Sequence, residues 1–359
     1  MQQRKYFMKT FLVLALFSIS YTVTSLYILY SQNKSVLPAF FYAKDYIPEY
    51  ISCSHPKTGN YLNLIDANPK PSNSIFFHET TCVNYLRYRD ACSIESAAKA
   101  HPEKQVYVIF VSSLKESDCK SGVIAELATL PNVHFYRMDL KNYALNTPLD
   151  NVSLLRLIWL GKWNNMKTRE LIKALTLYKF SGTVIDLDVM VVGNLDKLGD
   201  AWASTDGDSF GSSIISVARG LSGMYYSRHF FRTLKQNIAK DLALSVESPL
   251  KASLQLLCNT TNITEMTREQ CNGFQVYSSE FFSAKTHSSN LKPSATSGYL
   301  GYYLWNELYG NHTATMPKDS LYANLAKEYC PKIYSKFMDT EGEAIHLEKL
   351  SESSALVEK

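Results

Sequence analysis

The chain has 359 residues, 46% of them apolar and 19% charged, with a net charge of +4. That balance is ordinary for a globular core, and the scattered basic residues exclude nucleic acid as an expected partner. Seven cysteines are present, none in a Cys-x-x-Cys spacing, which argues against a zinc ribbon or a dithiol redox centre.

Residues 1–10 contain Arg4, Lys5 and Lys9 and read as a cytosolic tail. From Phe11 to Tyr30 no residue is charged, and about twenty mostly apolar residues are what a helix needs to cross a bilayer. The basic flank holds the N-terminus in the cytosol. Residues 11–30 are therefore expected to anchor a single-pass type II membrane protein, contacting the lipid bilayer through that segment. The alternative is a cleaved signal peptide, which expects a shorter apolar core and small residues at its end; Tyr27, Leu29 and Tyr30 stand there instead. Sequons at Asn151, Asn259, Asn262 and Asn311, and all seven cysteines, follow the anchor, in keeping with a secretory lumen. The short polar loop between Cys258 and Cys271 suits a disulfide, and the odd count leaves at least one cysteine free or intermolecular.

Residues 31–73 are rich in Tyr, Pro, Ser and Asn and read as a stem. Ser74–His78, Gln105–Val111 and Val133–Met138 are apolar runs fit for buried strands. Helices are expected over Arg87–Ala100, Gly122–Leu130 and Met166–Phe180, the last with Leu171, Ala174, Leu175 and Tyr178 on one face. Strands alternating with helices imply an α/β fold, a mainly parallel sheet with helices on both faces. After a break at Ser181-Gly182, Thr183–Val192 is expected as one strand and Gly199–Gly211 as a loop. Residues 332–359 read as a polar C-terminal tail.

Asp186 and Asp188 interrupt the run of Val, Ile, Leu and Met. On an extended chain two carboxylates at this spacing point to one side, about 6.5–7 Å apart. Unpaired charges are too costly to bury without a reason, and a divalent cation supplies one. Manganese or magnesium takes oxygen ligands and is commonly held by one or two carboxylates plus substrate phosphates. Asp186 and Asp188 are thus the candidate metal and catalytic residues, with a nucleotide-diphosphate sugar as the source of the phosphates. Asp206-Gly207-Asp208, set among Ser, Thr and Gly, reads as a solvated turn.

Ile75–Cys82, Arg89–Ala98 and Tyr178–Asp188, with Thr147–Leu149, Cys271–Phe274 and Leu304–Asn306 behind them, resemble the α1,4-galactosyltransferase family. That family includes lactosylceramide galactosyltransferases and α1,4-N-acetylglucosaminyltransferases. The resemblance runs from 74 to 331 and implies a GT-A nucleotide-diphospho-sugar transferase fold in a luminal Golgi domain. It implies retaining α1,4 transfer of galactose or N-acetylgalactosamine from the UDP-sugar to a glycolipid or glycoprotein. In that pattern Asp186 and Asp188 hold Mn²⁺ and the UDP diphosphate, while His78, Glu79 and Thr80 lie at the nucleotide. For those three the alternative is a strand-capping turn. Glu95 reads as a helix-packing residue.

The departures are specific. Arg169-Glu170-Leu171-Ile172-Lys173 stands where the family has Ser-Asp-x-x-Arg, so Glu170 and Lys173 are candidate donor-binding residues with altered geometry, a solvent-facing ion pair being the alternative. The family's Gly-Gly is Ser181-Gly182, and its His-Leu-Trp-Asn is Tyr303-Leu304-Trp305-Asn306. A phenol of pKa about 10 is a poor metal ligand in place of an imidazole. These departures leave a second expectation beside the enzyme: a catalytically weakened relative that binds glycans or a partner transferase.

Overall fold

In the computed structural model the described residues are 60–67, 74–81, 83–139, 142–150, 165–204, 213–217, 220–239, 249–277, 281–282, 298–303, 315–339 and 342–347, together with Ser18 and Thr22. The chain divides into Met1–Pro48 and Glu49–Lys359, and the sheets with their covering helices all belong to the second unit. Among the described residues no helix is long and apolar enough to cross a membrane. The anchor expected at 11–30 lies outside them apart from Ser18 and Thr22.

Three apolar runs form β1 (Ile75–Glu79), β2 (Val106–Phe110) and β3 (Val133–Arg137), joined through helices α1 (Tyr88–Ala100) and α2 (Gly122–Leu127). Helix α3 (Asn165–Phe180) leads into β4 (Gly182–Ile185). After it come β5 (Val189–Val191), β6 (Ala201–Ser204), β7 (Ile214–Val217), α4 (Leu221–Ala239), α5 (Pro249–Cys258) and β8 (Gln275–Tyr277). The main sheet has seven strands in the order β3-β2-β1-β4-β7-β6-β8. Four of its six pairings are parallel, which bears out the mostly parallel sheet.

Both sheet faces are covered, so its strands read as nearly continuous apolar runs. Ile75, Phe77, Val108 and Phe110 pack with Ala91, Ile94 and Ala97 of α1. Phe76, Ile109 and Val184, the alternate positions, pack with Leu171 and Leu175 of α3, Phe230 of α4 and Leu254 of α5. Each such side chain contributes about 1.5–3 kcal/mol on leaving water.

Helix α3 ends at Ser181, which takes a left-handed φ of 60°. Gly182 follows at φ 110°, and a Cβ there would sit 2.3 Å from the Ser74 carbonyl oxygen. Only glycine lets β4 start this close to β1.

Thr183–Val192 is not one strand. The chain leaves the main sheet after Ile185, turns through Asp186-Leu187-Asp188, and re-enters as β5, which pairs with β9 (Gly301–Tyr303) in a separate two-stranded sheet. The expected Gly199–Gly211 loop holds β6, whose Ala-Trp-Ala-Ser is fully buried. Asp206–Asp208 lie outside the described residues. The boundary expected at residue 331 falls inside packed structure. Ile333, Met338, Ile345 and Leu347 are buried in the same layer as α1, and β11 (Ala344–His346) pairs with β10 (Thr315–Pro317).

The Cys258–Cys271 disulfide is formed as expected, and a second links Cys92 of α1 to Cys330. Cys119 is the free cysteine among the described residues. Beside Cys92–Cys330, the Glu95 carboxylate accepts the backbone N–H groups of Lys332 at 3.0 Å and Ile333 at 2.9 Å. Glu95 is thus a packing residue that caps a helical turn far away in sequence.

Candidate functional site

Chain order reverses direction between β1 and β4: β2 and β3 lie on one side of β1, and β4 on the other. In an open α/β sheet such a switch point leaves a crevice at the carboxyl ends of its two strands, where ligands bind. Here β1 ends in His78-Glu79 and β4 runs directly into Asp186. Between them lies a cavity of about 160 Å³, lined by His78, Glu79, Thr80, Arg87, Asp90, Arg169, Asp186 and Asp188 among others. It is smaller than the roughly 300–1,000 Å³ of a whole small-molecule site, and suits the charged end of a ligand.

The aspartate turn is held from three directions. Asp186 donates its N–H to Ser213 O at 2.8 Å, and Val189 N–H closes the turn onto Asp186 O at 3.1 Å. From α1, Ser93 Oγ donates to Leu187 O at 2.7 Å, and Ser96 Oγ accepts from Val191 N at 3.0 Å. Two hydroxyls one turn apart on a buried helix therefore fix the backbone that carries both carboxylates.

Lys173 Nζ lies 2.6 Å from Asp186 Oδ1, and the lysine is 2% exposed. Asp188 has no such ion pair among the described residues. Burial, with repulsion from Asp186 and Asp90, pushes its carboxyl up to about 6, against the pull of Arg87 and Arg169. Asp90 is gripped by Arg87 through two bonds of 2.9 Å, yet burial still raises it above the usual carboxylate range. Glu79 Oε1 takes both the backbone and the hydroxyl of Thr81. Its Oε2 is buried with no hydrogen-bond partner among the described residues, and burial raises this carboxyl too.

His78 is set by Thr176. The threonine hydroxyl donates to Ile172 O at 2.9 Å, so it accepts from His78 Nε2 at 2.8 Å and from Tyr143 OH at 2.7 Å. That assigns the ring proton to Nε2 and leaves Nδ1 a buried lone pair without a partner among the described residues. Burial and the Lys173 charge lower the imidazole to about 3, so it is neutral.

The donor set fits a hard cation. Asp188 and the Asp186 oxygen not facing Lys173 could serve as two carboxylate ligands at one cavity wall, and burial with like-charge repulsion raises Asp188, as a missing counter-ion would. One other cluster among the described residues has the composition of a metal site: His101, Glu103 and Asp196. It does not fit. His101 Nε2 accepts the Leu195 N–H at 3.2 Å, so Nδ1 keeps the proton and has no lone pair to offer, and Lys104 pairs with Asp196.

The cavity brings together five expected residues, His78, Glu79, Thr80, Asp186 and Asp188, and adds Arg87, Asp90 and Arg169. Glu170 and Lys173 do not line it. Both are buried, so the solvent-facing ion pair does not describe them. Their stretch of α3 turns Arg169 to the cavity instead. Tyr303 pairs across β5–β9 with Val189, the residue after Asp188, and does not line the cavity. Leu304–Asn306 lie outside the described residues.

Residues 88–205 match the glycosyltransferase sugar-binding region containing the DXD motif, and residues 248–337 match the alpha 1,4-glycosyltransferase conserved region. Asp186-Leu187-Asp188 falls inside the first match and Asp206-Gly207-Asp208 outside it. The chain thus matches one glycosyltransferase region that contains the DXD motif and one alpha 1,4-glycosyltransferase region. The resemblance read from the sequence is borne out. Lactosylceramide 4-alpha-galactosyltransferase of Rattus norvegicus is 31% identical over 137 residues, covering 36% of each chain. The Homo sapiens protein of that name is 32% identical over 136 residues, 36% of this chain and 37% of its own. The matched segment thus spans little more than a third of those relatives. Among solved structures, the galactosyltransferase LgtC, in complex with donor and acceptor sugar analogs, superposes over 75% of this chain and 98% of its own at 13% identity and a TM-score of 0.42. PaToxG glycosyltransferase does so over 57% and 79% at 15% identity and a TM-score of 0.41.

Proposed function

We propose that this α1,4-glycosyltransferase-type chain is a hexosyltransferase of the GT-A type, with its catalytic domain in the Golgi lumen and its anchor at residues 11–30. It moves galactose or N-acetylgalactosamine from the UDP-sugar to a glycolipid acceptor in α1,4 linkage, with retention. The observation that carries this reading is the Asp186–Asp188 turn at the sheet's switch point, where the carboxyl ends of β1 and β4 open one charge-dense cavity.

Asp188 and Asp186 hold a divalent cation, Mn²⁺ or Mg²⁺, together with the donor's diphosphate. The bound ion supplies Lewis-acid neutralisation of the departing diphosphate. Lys173 fixes the Asp186 carboxylate, Ser93 and Ser96 fix the turn, and Arg87 and Arg169 bring positive charge to the same wall. His78, neutral and with Nδ1 open, presents an acceptor for a donor hydroxyl or N–H. Glu79 Oε2 presents a second.

Donor screening of the full chain with UDP-sugars, Mn²⁺ and lactosyl acceptors, wild type beside Asp188→Ala, tests this. Transfer from one UDP-sugar, lost in the variant, is the expected result; folded wild type that transfers from none sinks it. The second reading, a weakened relative that binds glycans or a partner transferase, draws support from the Lys173 ammonium on Asp186, which competes with a cation for that carboxylate. Glycan binding without turnover in the same screen favours it.

A further inference from the structure

One face of α4 is left uncovered by the described residues. Its exposed residues are Leu221, Met224, Tyr225, Arg228, Arg232 and Lys235, which fall at i, i+3, i+4, i+7, i+11 and i+14 and so share one stripe. The opposite face, with Tyr226, Phe230 and Phe231, is buried in the core. The stripe is ordered along the helix: three large apolar side chains first, 48–74% exposed, then three cations. No acidic residue occurs anywhere in the helix.

The apolar end continues beyond α4. Tyr178 of α3, 41% exposed, rests edge-on against Phe231. Beside it a cavity of about 450 Å³ is lined by Pro148, Leu177, Tyr178, Val217, Met224 and others, with Arg228 at its rim and no carboxylate in its walls. Exposed apolar area of this kind, rimmed by charge, marks a docking surface.

We infer that this face of α4 seats on the surface of a lipid bilayer carrying anionic headgroups. Leu221, Met224, Tyr225 and Tyr178 enter the interface, and Arg228, Arg232 and Lys235 lie against the headgroups. Interfacial helices are built this way, with aliphatic and aromatic side chains buried at the acyl boundary and Lys and Arg beside them. Charge complementarity selects the occupant. A second copy packed parallel would set the three cations of one stripe against those of the other, and packed antiparallel would bury them against Leu221, Met224 and Tyr225; both are costly. A protein interface of ordinary composition keeps its centre poor in charge, whereas this stripe is half cationic and unopposed within its helix. The inference is independent of the transferase reading, since it uses no residue of the switch-point cavity.

Full-length chain reconstituted into vesicles of phosphatidylcholine, with or without phosphatidylserine, and doped with a lipid bearing a photoactivatable acyl chain, tests it by mass spectrometry of the lipid adducts. The expected adducts fall on the peptide containing Leu221–Tyr225, rise with phosphatidylserine, and weaken in high salt. Changing Arg228, Arg232 or Lys235 to Gln reduces them by about fivefold per residue, and Leu221→Asp with Met224→Asp abolishes them. Thermal unfolding of each variant confirms that it is folded, and the comparison of lipids and salt in wild type needs no variant. The inference is overturned by adducts confined to residues 11–30, by α4 adducts indifferent to phosphatidylserine and salt, or by a face that cross-links to a protein while taking no lipid.

Discussion

Glu79 and Glu95 are both nearly inaccessible, at 4% and 1% exposure, and their surroundings are opposite. Each Glu95 oxygen accepts a backbone N–H from the turn at Lys332 and Ile333, next to the Cys92–Cys330 disulfide. Glu79, at the switch-point cavity, has one oxygen satisfied by Thr81 and the other unpartnered among the described residues. Burial raises Asp188 at the same cavity and raises Glu95 as well, so the open oxygen is what separates the two glutamates. A buried carboxylate with both oxygens filled is a structural part. An unfilled carboxylate oxygen at a cavity that two further aspartates line fits a site for a cation or a polar ligand.

Breaking this contrast at its strongest point uses the two aspartates against each other. Asp188→Ala should lower transfer about a thousandfold, because several kcal/mol of charge neutralisation goes with the cation, at about 1.4 kcal/mol per decade. Its urea midpoint should hold or rise, since the raised Asp188 carboxylate strains the folded state. Asp186→Ala should lose transfer and also about 3 kcal/mol of stability, because it leaves the Lys173 ammonium buried without that carboxylate. Equal stability losses in the two variants would remove the distinction.

Glu95→Ala should do the reverse of Asp188→Ala. One buried and one part-buried amide lose their acceptor, at a cost of about 2–3 kcal/mol in denaturant unfolding, with turnover per folded molecule unchanged. His78 sharpens the same division through pH. Its folded pKa of about 3 lies below the ordinary 6.5, so the unfolded chain takes the proton first. The stability it contributes above pH 6.5 is lost as pH falls toward 3. Between pH 7 and pH 5 that amounts to about 2 kcal/mol, read as the difference in stability slope between wild type and His78→Asn. Smallest is Ser93→Ala, which frees Leu187 O from its 2.7 Å bond. About 1 kcal/mol of stability should go with it in denaturant unfolding, and turnover per folded molecule should fall by no more than about fivefold.

The sheet was largely legible from sequence because β1, β2 and β3 are buried on both faces and so are apolar throughout, while α3 shows its periodic face. The turn at Asp186 was not. Thr183–Val192 is apolar on both sides of the break because the chain passes from one sheet directly into another, and pattern alone cannot show a change of partner. Nor was β6 legible, since Ala-Trp-Ala-Ser gains its strand only from β7 and β8. The stretch 331–347 looked polar because its core contacts are single residues, pinned by a disulfide and by Glu95 from over 230 residues away. At the site, both aspartates stood out as carboxylates within an apolar run, and His78-Glu79-Thr80 through the family resemblance. Arg87, Asp90 and Arg169 did not, because charges near the starts of helices are commonplace and only the fold points them at one cavity.

Calorimetry of UDP binding to the full chain, with and without Mn²⁺, wild type beside Asp188→Ala, addresses the central claim most directly. Wild type should bind UDP only when the metal is present, and the folded variant should bind it in neither condition. UDP binding that is indifferent to the metal, or equal in the two proteins, would contradict a cation held by the Asp186–Asp188 turn.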